Sequence, residues 1–253
     1  MKLTFLGTGT SQGVPVIACS CPVCQSDDNR DKRLRTSALI EVEGINLVID
    51  SGPDFRQQML NNKVKTLDAI IITHEHRDHL AGLDDVRAFN WIHKKPMDIW
   101  VEPRVHEAII KEYSYIFSES KYPGIPEVNI HTIDDHPFSI RGIDIIPIRC
   151  YHGKLPILGY RIGDITYITD ASFIPEKEKE KITGSKYLII NALRKQKHLA
   201  HFSLPEAIRI INEYSPRRGY LTHLSHQIGL YKDVSKELPE NVCLAYDGLA
   251  IEF

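Results

Sequence analysis

The apolar run Ala69-Ile70-Ile71-Ile72 is followed at once by Thr73-His74-Glu75-His76-Arg77-Asp78-His79. Polar groups buried without partners cost free energy, so a core segment that ends this way needs something to take up their lone pairs. The junction recurs along the chain. Short apolar or β-branched runs at 3–6, 37–42, 45–49, 69–72, 98–101, 143–148, 160–162, 165–168, 187–190, 219–221 and 242–245 read as strands. Several stop just before a ligand-type side chain: Asp50 after Ile49, His152 after Ile148, Asp170 after Ile168, His223 after Leu221. Functional groups collect on loops at strand ends because the sheet fixes their direction.

Helical patterns lie between the runs. Residues 79–92 place Leu80, Leu83, Val86 and Phe89 on one helix face. Ser203-Leu204-Pro205-Glu206 is a helix start with an N-cap serine and a glutamate at N3, and Pro216 stops that helix. Gly163-Asp164 and Asp247-Gly248 read as hairpin turns, and 113–126 as a surface loop. Hairpins followed by strand–helix alternation, with no Gly/Ser linker and no repeat, predict one layered α/β domain over residues 1–253.

Charged residues make up 25% of the chain and the net charge is −2, so wholesale electrostatic capture of nucleic acid is not expected. No stretch approaches the ~20 apolar residues of a membrane span. The N-terminal apolar stretch is broken by Gly7 and Gly9, which a signal peptide would not tolerate. Of 5 cysteines, three sit together at Cys19, Cys21 and Cys24, poor material for a disulfide framework and better material for a metal site in a reducing cytosol. A soluble cytoplasmic protein is the expectation.

His74 and His76 point to the same side if extended, and Asp78 and His79 follow from the next turn. Neutral imidazoles with a carboxylate suit a borderline divalent metal. The competing reading is a solvated, histidine-rich helix start, and the preceding apolar strand weighs against it. Cys19-Ser20-Cys21-Pro22-Val23-Cys24 offers three thiolates at a spacing suited to structural zinc; the alternative is three thiols without metal. A fourth ligand is missing locally, with His226, Cys150 and Cys243 as candidates and the latter two read as ordinary buried cysteines.

With Leu47-Val48-Ile49-Asp50-Ser51-Gly52 upstream, and His152-Gly153, Thr169-Asp170 and Thr222-His223 downstream, the T-H-x-H-x-D-H motif resembles the metallo-β-lactamase superfamily over nearly the whole chain. The resemblance implies a four-layer αβ/βα sandwich with a dinuclear centre at one edge of the sheets. It places His74, His76 and His152 on one metal, Asp78, His79 and His223 on the second, Asp170 as the bridge, and Asp50 as a brace for the ligand loop. The cofactors it implies are two divalent ions, Zn or Mn, with a hydroxide held between them.

Gly7-Thr8-Gly9-Thr10-Ser11-Gln12-Gly13-Val14-Pro15, the cysteine loop and Thr222-His223-Leu224-Ser225-His226 together resemble the phosphoribosyl 1,2-cyclic phosphate phosphodiesterases of bacterial phosphonate breakdown. That resemblance implies one structural zinc on Cys19, Cys21, Cys24 and His226. A pyrroloquinoline-quinone biosynthesis protein shares a similar cysteine loop, and the intact ligand set here argues against that branch. His201-Phe202-Ser203-Leu204-Pro205-Glu206-Ala207 is similar to the histidine loop of the superfamily's phosphodiesterases. It implies His201 as proton donor to the leaving oxygen, as an imidazole near neutral pKa, with Asp78 orienting the hydroxide. The competing reading of His201 is a surface histidine beside a helix, and His198 is its neighbouring rival. The tRNA 3′-processing endonuclease shares this loop but inserts a long arm between its third metal histidine and bridging aspartate, where this chain has only a hairpin over 153–169.

The expected activity is metal-dependent hydrolysis of a small cyclic or nucleotide-like phosphodiester. The alternatives are thioester or lactone hydrolysis by the same hydroxide and a tRNA-processing-type nuclease. The expected partner is a small-molecule phosphodiester, with neither nucleic acid nor membrane, and a homodimer is left open. Arg194, Lys195, Lys197, Arg217 and Arg218 can supply local phosphate affinity, and none is assigned to substrate.

Overall fold

A computed structural model describes residues 1–118 and 123–252. Its strands are β1 (Lys2–Gly7), β2 (Ser37–Val42), β3 (Ile45–Ile49), β4 (Ala69–Ile71), β5 (Met97–Val101), β6 (Val128–Thr132) and β7 (Phe138–Ile140), then β8 (Ile143–His152), β9 (Leu155–Ile162), β10 (Ile165–Ile168), β11 (Tyr187–Asn191), β12 (Arg218–Thr222), β13 (Val242–Leu244) and β14 (Ala250–Glu252). The helices are α1 (Phe55–Asn61), α2 (Arg77–Leu80), α3 (Arg87–His93), α4 (Pro103–Glu112), α5 (Lys179–Ile182), α6 (Leu204–Tyr214) and α7 (Tyr231–Glu237).

Two 7-stranded sheets form, ordered β14-β1-β2-β3-β4-β5-β6 and β13-β12-β11-β10-β9-β8-β7. In each, an antiparallel part gives way to parallel strands joined by helical crossovers. Such crossovers cover a sheet face, so β4, β10 and β11 are buried on both sides.

Alternation along single strands separates the layers. In β4, Ala69 and Ile71 face the core between the sheets with Phe5, Tyr160 and Tyr167, while Ile70 packs outward against Phe55, Leu83 and Val86. In β11, Ile189 joins the inter-sheet core and Leu188 and Ile190 pack against Ala207 and Ile211 of α6. Three apolar interfaces, helix–sheet, sheet–sheet and sheet–helix, make the four-layer αβ/βα sandwich, the metallo-β-lactamase fold. Among the described residues no helix is long and apolar enough to cross a membrane.

The expected capping box at Ser203/Glu206 and the Gly163-Asp164 hairpin both form. Three local expectations change. The helix over 79–92 is interrupted: α2 ends at Leu80, a 3₁₀ turn spans Leu83–Val86, and α3 follows. Gly82 is the reason, since its N–H donates to the Ser51 carbonyl at 2.8 Å and an added Cβ would meet the Gly52 carbonyl oxygen at 2.0 Å. The helix is broken to strap it to the loop after β3, while Leu80, Leu83, Val86 and Phe89 still face the core. Asp247-Gly248 does not close a hairpin, because β13 belongs to one sheet and β14 to the other. The strand expected at 160–162 begins at Leu155. Of the loop expected over 113–126, residues 119–122 lie outside the described residues, and Ser114–Phe117 form a 3₁₀ turn.

Candidate metal centre

The parallel strands end on a common level. Ile168, Ile190, Leu221 and Leu244 pair in successive rungs, and Asp170 and His223 each stand two residues beyond that level. Asp50, Asp170 and His223 adopt φ of 66°, 60° and 53°, a left-handed conformation that turns the backbone immediately after its strand. From the other sheet, His74 and His76 leave β4, and Asp78 and His79 open α2. His152 is the last residue of β8.

The chain brings all seven expected ligands together. His79 Nε2 lies 3.1 Å from both Asp78 Oδ2 and Asp170 Oδ2, and His223 Nε2 lies 3.1 Å from Asp170 Oδ1. The rings of His74, His76 and His152 form a second group, with centroids 4.6, 5.9 and 5.1 Å apart. Donors about 2.1 Å from a tetrahedral zinc are about 3.4 Å from each other, so the first group has the spacing of a coordination shell. His74 Nε2 and His79 Nε2 are buried with no hydrogen-bond partner, the atoms such a shell would use. The residues fit divalent cations.

One carboxylate sets two of these imidazoles. Asp50 is fully buried; its Oδ1 accepts from the Thr73 N–H at 2.8 Å, and its Oδ2 accepts from the Thr73 hydroxyl at 2.9 Å and faces His79 Nδ1 at 2.6 Å. With its only proton given to Asp50, Thr73 Oγ1 must accept from His74 Nδ1, 2.9 Å away. His74 and His79 therefore both present Nε2 inward. His152 does the same by a different route, donating from Nδ1 to the Ala200 carbonyl at 2.7 Å. Thr73 heads the T-H-x-H-x-D-H motif, but its part in setting the His74 tautomer shows only in the fold.

Electrostatics follow the same logic. Burial alone depresses His79, but Asp78, Asp170 and Asp50 around it push it well above its ordinary range. Burial keeps His74 well below its ordinary range, neutral as a ligand should be. His201 sits with Nδ1 3.7 Å from Asp170 Oδ1 and its ring 4.5 Å from His152 and 4.9 Å from His223. It is no free surface histidine. Burial, then the neighbouring His223, lower it to about 3, well under the near-neutral value expected from sequence. It can donate only as a neutral imidazole N–H. The ring of His198 lies 5.1 Å from that of His201, and its Nδ1 accepts from the Ala200 N–H.

The cysteine loop finds its fourth partner in His226. Its Nδ1 is 3.3 Å from Cys19 Sγ, 3.3 Å from Cys21 Sγ and 3.5 Å from Cys24 Sγ. All the cysteines are free thiols. A backbone N–H from Cys24 outweighs desolvation and draws the Cys21 thiol down to about 6, whereas burial pushes Cys24 up to about 11. Cys150 is buried, its thiol raised to about 12 by desolvation, and stands apart as expected. Of the basic residues, Arg194 is bonded to Gln227, Lys195 to Glu237 and Arg218 to the Glu240 carbonyl. Between His152 and Asp170 the chain holds only β9 and β10, with no inserted arm.

Comparison with known proteins agrees with this fold. A β-lactamase superfamily domain matches residues 45–224. The crystal structure of a diphosphatase from the PhnP family superimposes with a TM-score of 0.93 at 36% identity, covering 100% of this chain and 96% of that one. An octanoyltransferase of Porphyromonas gingivalis is 40% identical over 252 residues, 98% of this chain but 51% of its own, so the chain spans about half of that relative. A ribonuclease Z of Nostoc punctiforme is 27% identical over 171 residues, 65% of this chain and 47% of its own. A donor-lined rim on this sandwich is the kind of site at which enzymes of this fold bind divalent metals such as zinc. The chain belongs to the β-lactamase superfamily, and within it to the PhnP family.

Proposed function

We propose that the chain hydrolyses a small phosphodiester or diphosphate ester of cyclic or nucleotide-like form. One divalent ion, Zn or Mn, would be held by His74, His76 and His152, a second by Asp78, His79 and His223, with Asp170 shared, and a structural zinc by Cys19, Cys21, Cys24 and His226. The observation that carries the reading is the convergence of Asp78, His79, Asp170 and His223, whose donor atoms all lie within 4.8 Å of one another beside three further imidazoles. The 36%-identical PhnP-family relative is a diphosphatase, which supports phosphorus as the centre attacked.

Bound cations would supply Lewis-acid charge neutralisation and an acidified water. The chain supplies the rest. Asp50, through Thr73, holds the imidazoles of His74 and His79 in the donating tautomer. Asp78 orients the attacking water. His201, beside Asp170, offers an N–H to the departing or phosphoryl oxygen, where a positioned donor lowers the barrier.

A second reading comes from the octanoyltransferase, 51% of which this chain matches: acyl-thioester hydrolysis at the same centre. The match spans 51% of that relative, and its transfer reaction stays a property of that relative. The test is elemental analysis of purified protein with a panel of ribose cyclic phosphate, a nitrophenyl phosphodiester, a nucleoside diphosphate ester, pre-tRNA and octanoyl thioester. About three metals per chain and turnover of a small phosphorus substrate are expected. Thioester cleavage with every phosphorus substrate untouched would replace this reading with the second.

A further inference from the structure

The imidazoles of His74, His76 and His152 come from different sheets, the first two from the loop after β4 and the third from the end of β8. Among the described residues no ladder of backbone hydrogen bonds joins the two sheets, so the separation of these rings depends on packing and on a few polar cross-links. Two links are the Leu158 N–H to the Thr73 carbonyl at 3.1 Å and the Tyr160 hydroxyl to the Ile72 carbonyl at 2.7 Å. The third is Arg104 on α4. Its Nη1 donates to Glu75 Oε1 at 2.8 Å and its Nη2 to the Pro156 carbonyl. Glu75 is the residue between His74 and His76, and Pro156 pairs with Tyr151, one rung from the His152–Leu155 pair. One planar guanidinium thus ties the backbone beside two of the imidazoles to the backbone beside the third. Glu75 Oε2 is buried without a partner, so this carboxylate depends on Arg104.

We propose that Arg104 is a positioning residue that sets the spacing of the His74–His76–His152 half of the centre. This rests on the two-metal reading above. A rigid planar fork that reaches two acceptors from two separate nitrogens belongs to arginine, whereas lysine donates from a single compact ammonium. Nearby, Glu102 and Arg149 form another link between α4 and β8, with contacts of 2.9 and 2.5 Å, but neither residue adjoins a ligand of the loop after β4. It serves as the control for ordinary stabilisation.

The experiment titrates zinc and manganese into metal-stripped wild type, Arg104→Ala, Arg104→Lys, Glu75→Gln and Arg149→Met against a chromophoric chelator. Supporting the proposal, Arg104→Ala and Glu75→Gln weaken one active-site metal about 10- to 100-fold, the range for lost outer partners of a ligand, and leave the other in place. Lysine fails to restore it, added guanidinium partly restores the alanine variant, and Arg149→Met changes melting temperature alone. Wild-type affinities in Arg104→Ala and Glu75→Gln, or equal weakening of both metals matched by Arg149→Met, would overturn it. Should Arg104→Ala not fold, Glu75→Gln decides. Wild type that takes up no active-site metal would instead sink the two-metal reading itself.

Discussion

Asp50→Asn changes one atom in the buried carboxylate and should unseat both active-site metals. The Thr73 backbone N–H can only donate, so the amide oxygen must take the place of Oδ1, 2.8 Å from it. That leaves the NH₂ group where Oδ2 stood, 2.9 Å from Thr73 Oγ1 and 2.6 Å from His79 Nδ1. A donor there forces His79 Nδ1 to accept, moving its proton to Nε2. It also forces Thr73 Oγ1 to accept and turn its own proton toward His74 Nδ1, flipping that ring as well. Both nitrogens meant for metal then carry hydrogens. The interaction lost at His79 is charge-assisted, worth about 1.5–3 kcal/mol. At 1.4 kcal/mol per tenfold, that is about 10- to 150-fold in affinity for the metal on His79, with a smaller loss at His74. Chelator competition reads the affinities, and nitrogen-15 spectra read whether each Nδ1 carries a proton. The cysteine cluster, which Asp50 does not touch, should bind the zinc proposed for it as in wild type, an internal control. Active-site affinities within about twofold of wild type, with both rings still protonated on Nδ1, would refute the relay.

His201→Ala should lower turnover about 10²- to 10⁴-fold with metal content unchanged, and loss of both active-site metals from that variant would contradict its role as donor. Cys21→Ser should release one metal per chain by elemental analysis and open the 14–25 loop to protease, because the apolar cluster beneath it is built on little more than Val14, Val23 and Cys24; unchanged metal content would refute the structural-zinc assignment. Burial raises the Asp247 carboxyl from 3.8 to about 6. A carboxyl raised on folding contributes stability that is complete below pH 3.8 and is lost as pH climbs through 6, since the folded state holds the proton longer. Chemical denaturation should therefore show wild type losing up to about 3 kcal/mol across that window relative to Asp247→Asn, whatever constant offset the amide brings. Parallel pH profiles for the two proteins would show that Asp247 titrates normally.

The strands and the ligand set were legible because both obey local rules. A buried strand is a short apolar run, and a candidate metal ligand placed by a sheet follows such a run within a few residues, as His74, Asp170 and His223 do. Elements without that contrast escaped. Strand β6 is only partly buried and interleaves Asn129 and His131 with its apolar residues, and β7 and β14 are three residues each. The interruption at Gly82 was hidden for another reason. Its spacing is good helix periodicity, and only the approach of Gly52, thirty positions earlier, breaks it. The Asp50–Thr73 and Glu75–Arg104 pairings are likewise choices made in space, between residues 23 and 29 positions apart.

Left-handed backbone at Asp50, Asp170 and His223 is part of how the centre is built. Such a conformation costs a non-glycine residue about 1–3 kcal/mol and survives only where neighbours over-determine it. Each of the three is held on both sides. Asp50 donates its N–H to the Ile71 carbonyl while the next residue, Ser51, donates to the His79 carbonyl, at 3.0 and 2.8 Å. Beyond Asp170, Asn191 of β11 clamps both the N–H and the carbonyl of Ala171, at 2.8 and 2.9 Å. Beyond His223, Leu224 exchanges hydrogen bonds with Thr8 and Thr10, and Thr8 is itself anchored by the buried Arg33 at 2.7 Å. Glycine would relieve the strain at any of these positions but would remove the donor. The sheets and their clamps thus carry the strain and hold these imidazoles and carboxylates facing one another.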